Sequence, residues 1–280
     1  MHKYSILVNS CDAYSDAWPM FFFLLKKNWR ERGGGMPRIY LNCESLQYED
    51  KDLEIIPLNN SNAHAWGERL LKCLEKIDDE FVLMMLEDFY YEDVIKTDVI
   101  DKCIDYMLDD KTIHSFQFMP SKEVAENNQA IIADPKYPGF VKRKKFVYYR
   151  LSTGPSLWRK SELMRYTNKK DSPWDWEYFG SFRTWLSNSK IYCWCNLTDS
   201  IFTFDTEHGG AIHRGKWVGY KMKELVEKYN YPLDYGTREV EDDWIKEGSF
   251  FKFPPFYKRL KSIFRNRSKM LFEIIRGLWI

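Results

Sequence analysis

FVLMMLEDFYY, residues 81–91, passes from a continuous apolar run to two adjacent carboxylates and then to three aromatic rings. An apolar run with no alternation is how a strand buried on both faces is written, and such strands belong to parallel sheets covered by helices. The flanks agree. AWGERLLKCLEKI (65–77) repeats apolar residues at 66, 70, 71, 74 and 77, one stripe of a helix, and 97–108 predicts another.

Working outward, SILVN (5–9), RIYLN (38–42) and LEIIPL (53–58) predict further strands. A helix is expected from Ser15 to Trp29, with Pro19 in its first turn, and Gly33–Gly35 close it. Later the pattern becomes mixed. HSFQFM (114–119) and FVYYRLS (146–152) predict antiparallel additions, 160–166 and 176–188 predict helices, and KIYCWCN (190–196) reads as a strand. The fold class is therefore α/β, a mostly parallel sheet flanked by helices. No internal repeat or low-complexity linker divides it, so one domain (1–251) and a tail (252–280) are expected.

The chain has 280 residues, 44% hydrophobic and 17% aromatic, with 11 Trp and 18 Tyr, enough for a thick core and for surfaces that stack sugars. Its net charge of +1 hides an asymmetry: residues 252–280 carry eight Lys or Arg against Glu273 alone. The body is mildly acidic, which argues against nucleic acid as a partner. Six scattered cysteines without a CxxC pair, and the strand-like opening MHKYSILVNS, predict a reducing, cytoplasmic setting with no secretory leader. Cys193 and Cys195 alternate along one strand; ordinary packing is the reading preferred over a metal or redox role. The longest apolar run, Ala17–Leu25, holds Pro19 and falls far short of the roughly 20 residues that span a bilayer.

Glu87 and Asp88 at the end of a buried strand repel one another unless a cation or hydrogen-bond donors relieve them. A hard divalent ion, Mn²⁺ or Mg²⁺, meets that need with carboxylate oxygens, nucleotide phosphates and water. A capped or solvated turn is the alternative.

NSCDAY after the first strand, the helix opening AWGERLLKCLEKI, and DEFVLMMLEDFYY together resemble the nucleotide-binding half of GT-A-type glycosyltransferases, the bacterial capsule and surface-polysaccharide enzymes. The resemblance implies a GT-A-like, Rossmann-type fold in which a DxD-class motif ends the fourth strand. Carried over, Asp88 is the principal metal contact with Glu87 beside it, although this chain has EDF rather than DxD. Asn9, Ser10 and Asp12 then line the nucleotide, a UDP-sugar, while Trp66, Gly67 and Arg69 lie under base or diphosphate. Gly67 at a helix start also lets backbone N–H groups approach an anion.

By the same resemblance, Thr153, Gly154 and Pro155 form an acceptor loop, Glu177 or Asp175 is the catalytic carboxylate, and Arg183 is a later basic position. Removing a proton from an acceptor hydroxyl needs a base, and burial among aromatics raises a carboxylate toward the working range. Trp174, Trp176 and Tyr178 supply such surroundings and faces for a sugar. In TEHGGAIHRGKW (206–217) a mobile, Gly-rich loop is expected to close over a diphosphate, with His213 or His208 completing the metal shell. The ligands for a zinc site are missing.

In the tail, Phe256, Leu260, Ile263, Met270, Ile274 and Leu278 recur near helical spacing among basic residues, a basic amphipathic helix suited to an anionic membrane surface. Packing on its own domain, or on a second subunit in a homodimer, is the alternative. The expected function is metal-assisted, inverting transfer of a sugar from a nucleotide donor to a hydroxyl of a growing, lipid-linked glycan, peripheral to the inner face of the cytoplasmic membrane. The rivals are a nucleotidyltransferase of sugar-nucleotide synthesis and a non-catalytic glycan-binding protein.

Overall fold

The computed structural model describes residues 4–30, 35–120, 124, 131–205, 210–232, 234–241 and 267–277. The apolar run 81–85 is a strand, and every one of its side chains is buried. It lies in a nine-stranded sheet with β1 (Tyr4–Asn9), β2 (Ile39–Cys43), β3 (Ile55–Asn59), β4 (Phe81–Met85), β5 (Ile113–Gln117), β6 (Ile131–Ala133), β7 (Phe140–Arg143), β8 (Ser156–Arg159) and β9 (Lys190–Trp194), in the order β3-β2-β1-β4-β8-β5-β9-β7-β6. Only β7 and β8 run against the other seven, so the mostly parallel, helix-flanked α/β sheet expected from the sequence is present. A small second sheet contains β10 (Ile212–His213), β11 (Lys216–Val218) and β12 (Val240–Glu241).

Strand period sorts the core into two layers. Ile6, Val8, Leu41, Leu83 and Met85 face α1 (Trp18–Asn28), α3 (Thr97–Asp109) and α6 (Gly219–Tyr229). Leu7, Tyr40, Val82 and Met84 face α2 (Trp66–Lys76), α4 (Lys160–Arg165) and α5 (Pro173–Arg183). Residues 267–277 form a last helix, α7.

Four expectations change. HSFQFM supplies β5, which runs with the majority of strands and is antiparallel only to its neighbour β8. FVYYRLS is not a strand: 145–149 form turns, Tyr149 sits at φ 50°, and Arg150 is buried, donating to the Ser189 carbonyl at 2.9 Å and the Ser189 hydroxyl at 2.7 Å. The antiparallel strand beside β4 is β8 instead, because SLWR buries four consecutive side chains between β4 and β5. The helix expected from 176 begins at Pro173, where Ser172 and Asp175 close a capping box, and ends at Arg183. Finally, the expected loop over 206–217 is a β10–β11 hairpin across 212–218; His208 lies outside the described residues.

Candidate active site

The carboxyl ends of β1, β2 and β4 lie side by side, the usual place for a ligand crevice in such sheets. Glu87 and Asp88 leave β4 here. The rings behind them are structural: Tyr90 donates to the Ala17 carbonyl at 3.0 Å, Tyr91 packs on Phe21 and Phe202, and Phe89 on Phe204. Those contacts pin the chain after β4 against α1. The two carboxylates are thereby held at the rim.

Glu87 is 5% exposed, and Oδ1 of Asp88 is buried without a hydrogen-bond partner among the described residues. Burial, together with the neighbouring Asp88, pushes Glu87 well above the usual carboxylate range. Burial likewise pushes Asp88 up to about 7, against the opposing pull of Arg238. An orphaned acceptor next to a second strained carboxyl fits a hard cation. Mg²⁺ commonly takes one or two carboxylates and completes its shell with substrate phosphates and water. Among the described residues no three His, Cys, Asp or Glu side chains form a group that could hold a metal ion, and His213 lies on β10 of the second sheet.

The second sheet is fastened over this rim. The Ala211 N–H donates to the Asp88 carbonyl at 2.7 Å, and a Cβ on Gly210, at φ 123°, would come within 2.6 Å of that oxygen. Arg238, beside β12, completes the closure. It donates to Asp16 (2.8 and 2.9 Å), to the Ala13 carbonyl (2.6 Å) and to the Gly215 carbonyl (2.9 Å), and stacks over Tyr14 at 4.5 Å. A groove of about 380 Å³ runs between the 3-10 turn Asp12–Ala17 and the hairpin, lined by Ala13, Asp16, Arg214, Lys216 and Arg238 among others. Lys216 reaches Glu239 at 3.0 Å. Nothing in the local sequence marks Arg238; only the pairing of β12 with β11 brings it here.

Several residues expected to touch the nucleotide serve the scaffold. Asp12 accepts from the amides of Glu44, Ser45 and Leu46 and from the Ser45 hydroxyl at 2.6 Å, stapling the ends of β1 and β2 together. Burial would raise its pKa, but these hydrogen bonds outweigh it and hold Asp12 below the usual range. Asn9 accepts from Asn42, and Ser10 accepts from the Trp18 indole at 2.8 Å. Arg69 pairs with Glu44 at 2.8 Å. Trp66 is 8% exposed and packs on Trp176, so its face is not open to a base. The Gly67 amide donates to the Asp171 carbonyl at 2.9 Å, and a Cβ there would meet the Asn168 carbonyl oxygen at 2.1 Å. The start of α2 is therefore filled by the chain itself, not by an anion.

The acceptor-side expectations also divide. Ser156 of β8 pairs with Met84 of β4, which brings Thr153–Pro155 to the same rim as Asp88. Thr153 gives Glu177 two hydrogen bonds, from its amide at 2.7 Å and its hydroxyl at 2.8 Å, and Gly154 packs on Met119. Burial raises the Glu177 pKa; the Thr153 bonds and Arg143 oppose it. Tyr149 stands near enough to feel the Glu177 charge. Asp175 instead caps α5 and pairs with Lys269 at 3.6 Å. Trp176 is fully buried with its indole on Thr167, so it offers no face to a sugar, whereas Trp174 is 76% exposed. Arg183 is buried and clamps Asp171 and Glu273 rather than facing a substrate.

No protein-family model matches the chain, and no curated protein matches it in sequence. Solved structures with a similar chain path include S. aureus TarS 1–349, 13% identical over 70% of this chain and 58% of that one, with a TM-score of 0.45. A CMP:2-keto-3-deoxy-manno-octonic acid synthetase complexed with CTP is 12% identical, covering 69% and 89%, with a TM-score of 0.39. A cytidylyltransferase from Leptospira borgpetersenii serovar Hardjo-bovis is 12% identical, covering 85% and 99%, with a TM-score of 0.42. The chain thus spans 58% of the TarS fragment's length. The fold is defined by its own strand order, and these likenesses add no argument to it.

Proposed function

We propose that the chain is a nucleotide-sugar-dependent glycosyltransferase, on one observation above all: the buried Glu87 and the half-buried Asp88, whose Oδ1 is buried and unpartnered, at the end of β4 beside a groove carrying Arg214, Lys216 and Arg238. A diphosphate suits that groove. Asp88 and Glu87 would hold Mn²⁺ or Mg²⁺, which supplies positive charge to the departing diphosphate when bound. Arg238 and the hairpin orient the phosphates and close the rim over them. Glu177, oriented by Thr153, is the group to take the acceptor hydroxyl's proton as the new bond forms, the role of an inverting base. Tyr149 and Tyr178, 5.5 Å apart beside it, offer faces to an acceptor sugar. We assign the donor as a UDP-sugar and the acceptor as a lipid-linked glycan.

The test is incubation with UDP-sugars and Mn²⁺, following donor hydrolysis and saturable binding. Glu177→Gln is expected to keep donor binding and lower turnover by roughly 100-fold. Release of pyrophosphate from a nucleoside triphosphate and a sugar phosphate would instead establish a nucleotidyltransferase. Absence of both hydrolysis and nucleotide binding would leave the glycan-binding reading.

A further inference from the structure

Helix α7 docks through Glu273 and Gly277, with Met270 and Ile274 partly covered on the same side. Glu273 is 2% exposed and pairs with Arg183 at 2.6 Å, and Gly277 lies so close that a Cβ would meet the Arg183 carbonyl oxygen at 2.3 Å. One turn earlier, Lys269 sits 3.8 Å over the Phe179 ring. The helix therefore runs along α5. Its other side is apolar and open: Leu271 is 58%, Phe272 63% and Ile275 45% exposed.

A chain of aromatic contacts runs from Phe179, under Lys269, to a second exposed patch. Phe179 touches Tyr178, Tyr178 stacks on Tyr148, and Tyr148 meets Trp185, which packs on Phe146. Phe146, Tyr148, Tyr149 and Trp174 are each more than half exposed. With the three α7 residues they make seven of the fourteen large exposed hydrophobics among the described residues, so the exposure is concentrated rather than scattered. Lys144, Lys145, Arg267 and Lys269 are exposed in the same segments. Trp and Tyr with polar tips, aliphatic side chains between them and a fringe of cations are the composition that settles at the headgroup level of a bilayer.

We propose that this surface, α7 with the 144–149 turns and Trp174, seats the protein on an anionic phospholipid bilayer. The assignment goes beyond the transferase reading and does not depend on it. The charge favours lipid over a second copy, because Lys144, Lys145, Arg267 and Lys269 are exposed in these segments while the one carboxylate of α7, Glu273, is neutralised by Arg183. Two such faces would repel; an anionic leaflet attracts each Lys or Arg by about 1 kcal/mol near its surface. Glu177 stands on α5 within reach of Tyr149, so the seated face borders the proposed acceptor side.

The test is co-sedimentation of the full chain with phosphatidylcholine vesicles, with and without about 30% phosphatidylglycerol, and with no donor present. The expected result is binding to the anionic vesicles that weakens as salt rises. Leu271→Glu/Phe272→Glu, both exposed in the fold, should lower it by at least roughly tenfold with an unchanged melting temperature. Lys144→Glu/Lys145→Glu should lower it in low salt only. Equal binding by wild type and the apolar double variant would overturn the proposal. So would a dimer, by sedimentation velocity, that the same variant dissociates. Because no turnover is read, loss of vesicle binding and loss of transferase activity are separate outcomes.

Discussion

Asp88 and Glu87 are carboxylic acids that the fold prefers to keep protonated, since burial raises both. A carboxyl whose pKa is raised on folding contributes stability in acid, and that contribution is lost as pH rises from the ordinary carboxylate range through the raised value. Asp88→Asn is therefore expected to be more stable than wild type above pH 7, by up to roughly 4 kcal/mol, with the difference vanishing in acid below the ordinary Asp range. Thermal melts across pH read this directly. Adding Mn²⁺ with UDP should reverse the order, stabilising wild type alone. A melting curve for Asp88→Asn parallel to wild type at every pH would remove the argument for a strained pair. The neighbours show why adjacency alone misleads: Asp12, equally at a strand end, is held below its usual range by the bonds it accepts from residues 44–46.

Helix α2 illustrates how packing overrides a local rule. A glycine at a helix start reads as a place for an anion, and replacing glycine by alanine inside an exposed helix normally gains up to about 1 kcal/mol. Here the loop 168–171 crosses the first turn, takes the Gly67 amide, and leaves no room for a methyl group. Gly67→Ala is expected to cost roughly 1–3 kcal/mol by overpacking against backbone, measurable by denaturant unfolding. A gain in stability would mean that the loop is not seated there. The hairpin β10–β11 makes the complementary point. HGGAIHRGK has a loop's composition, yet Ile212 and Trp217 pair across it, and both are buried because the second sheet closes on the aromatic residues that follow β4.

The molecule is tied together by a buried triad linking parts far apart in the chain. Arg183 meets Asp171 through two hydrogen bonds, at 2.5 and 2.9 Å, and Glu273 at 2.6 Å, and all three are nearly inaccessible. Removing the cation strands two carboxylates, so Arg183→Met should cost about 3–5 kcal/mol. Glu273→Gln should keep the body folded and loosen α7 alone, seen as faster hydrogen exchange across 267–277 with a smaller fall in melting temperature. Unchanged exchange in that segment would refute the clamp. Among the described residues no helix is long and apolar enough to cross a membrane.

Periodicity and run length determined much of this protein by themselves. Parallel strands at 4–9, 39–43, 55–59 and 81–85, the intervening helices, and the placing of Asp88 at a strand end all follow from which side chains must leave water. Glu177 was also legible as a candidate, though not its orientation by Thr153. The tertiary structure alone decided partners. Trp66, Gly67, Asp175, Trp176 and Arg183 have the chemistry of a site and are occupied by the scaffold, while Arg238, unmarked in sequence, stands beside Glu87 and Asp88. The physical reason is range: strand and helix patterns are set by near neighbours along the chain. Whether a carboxylate, amide or guanidinium is satisfied depends on groups that meet it only when distant segments fold together.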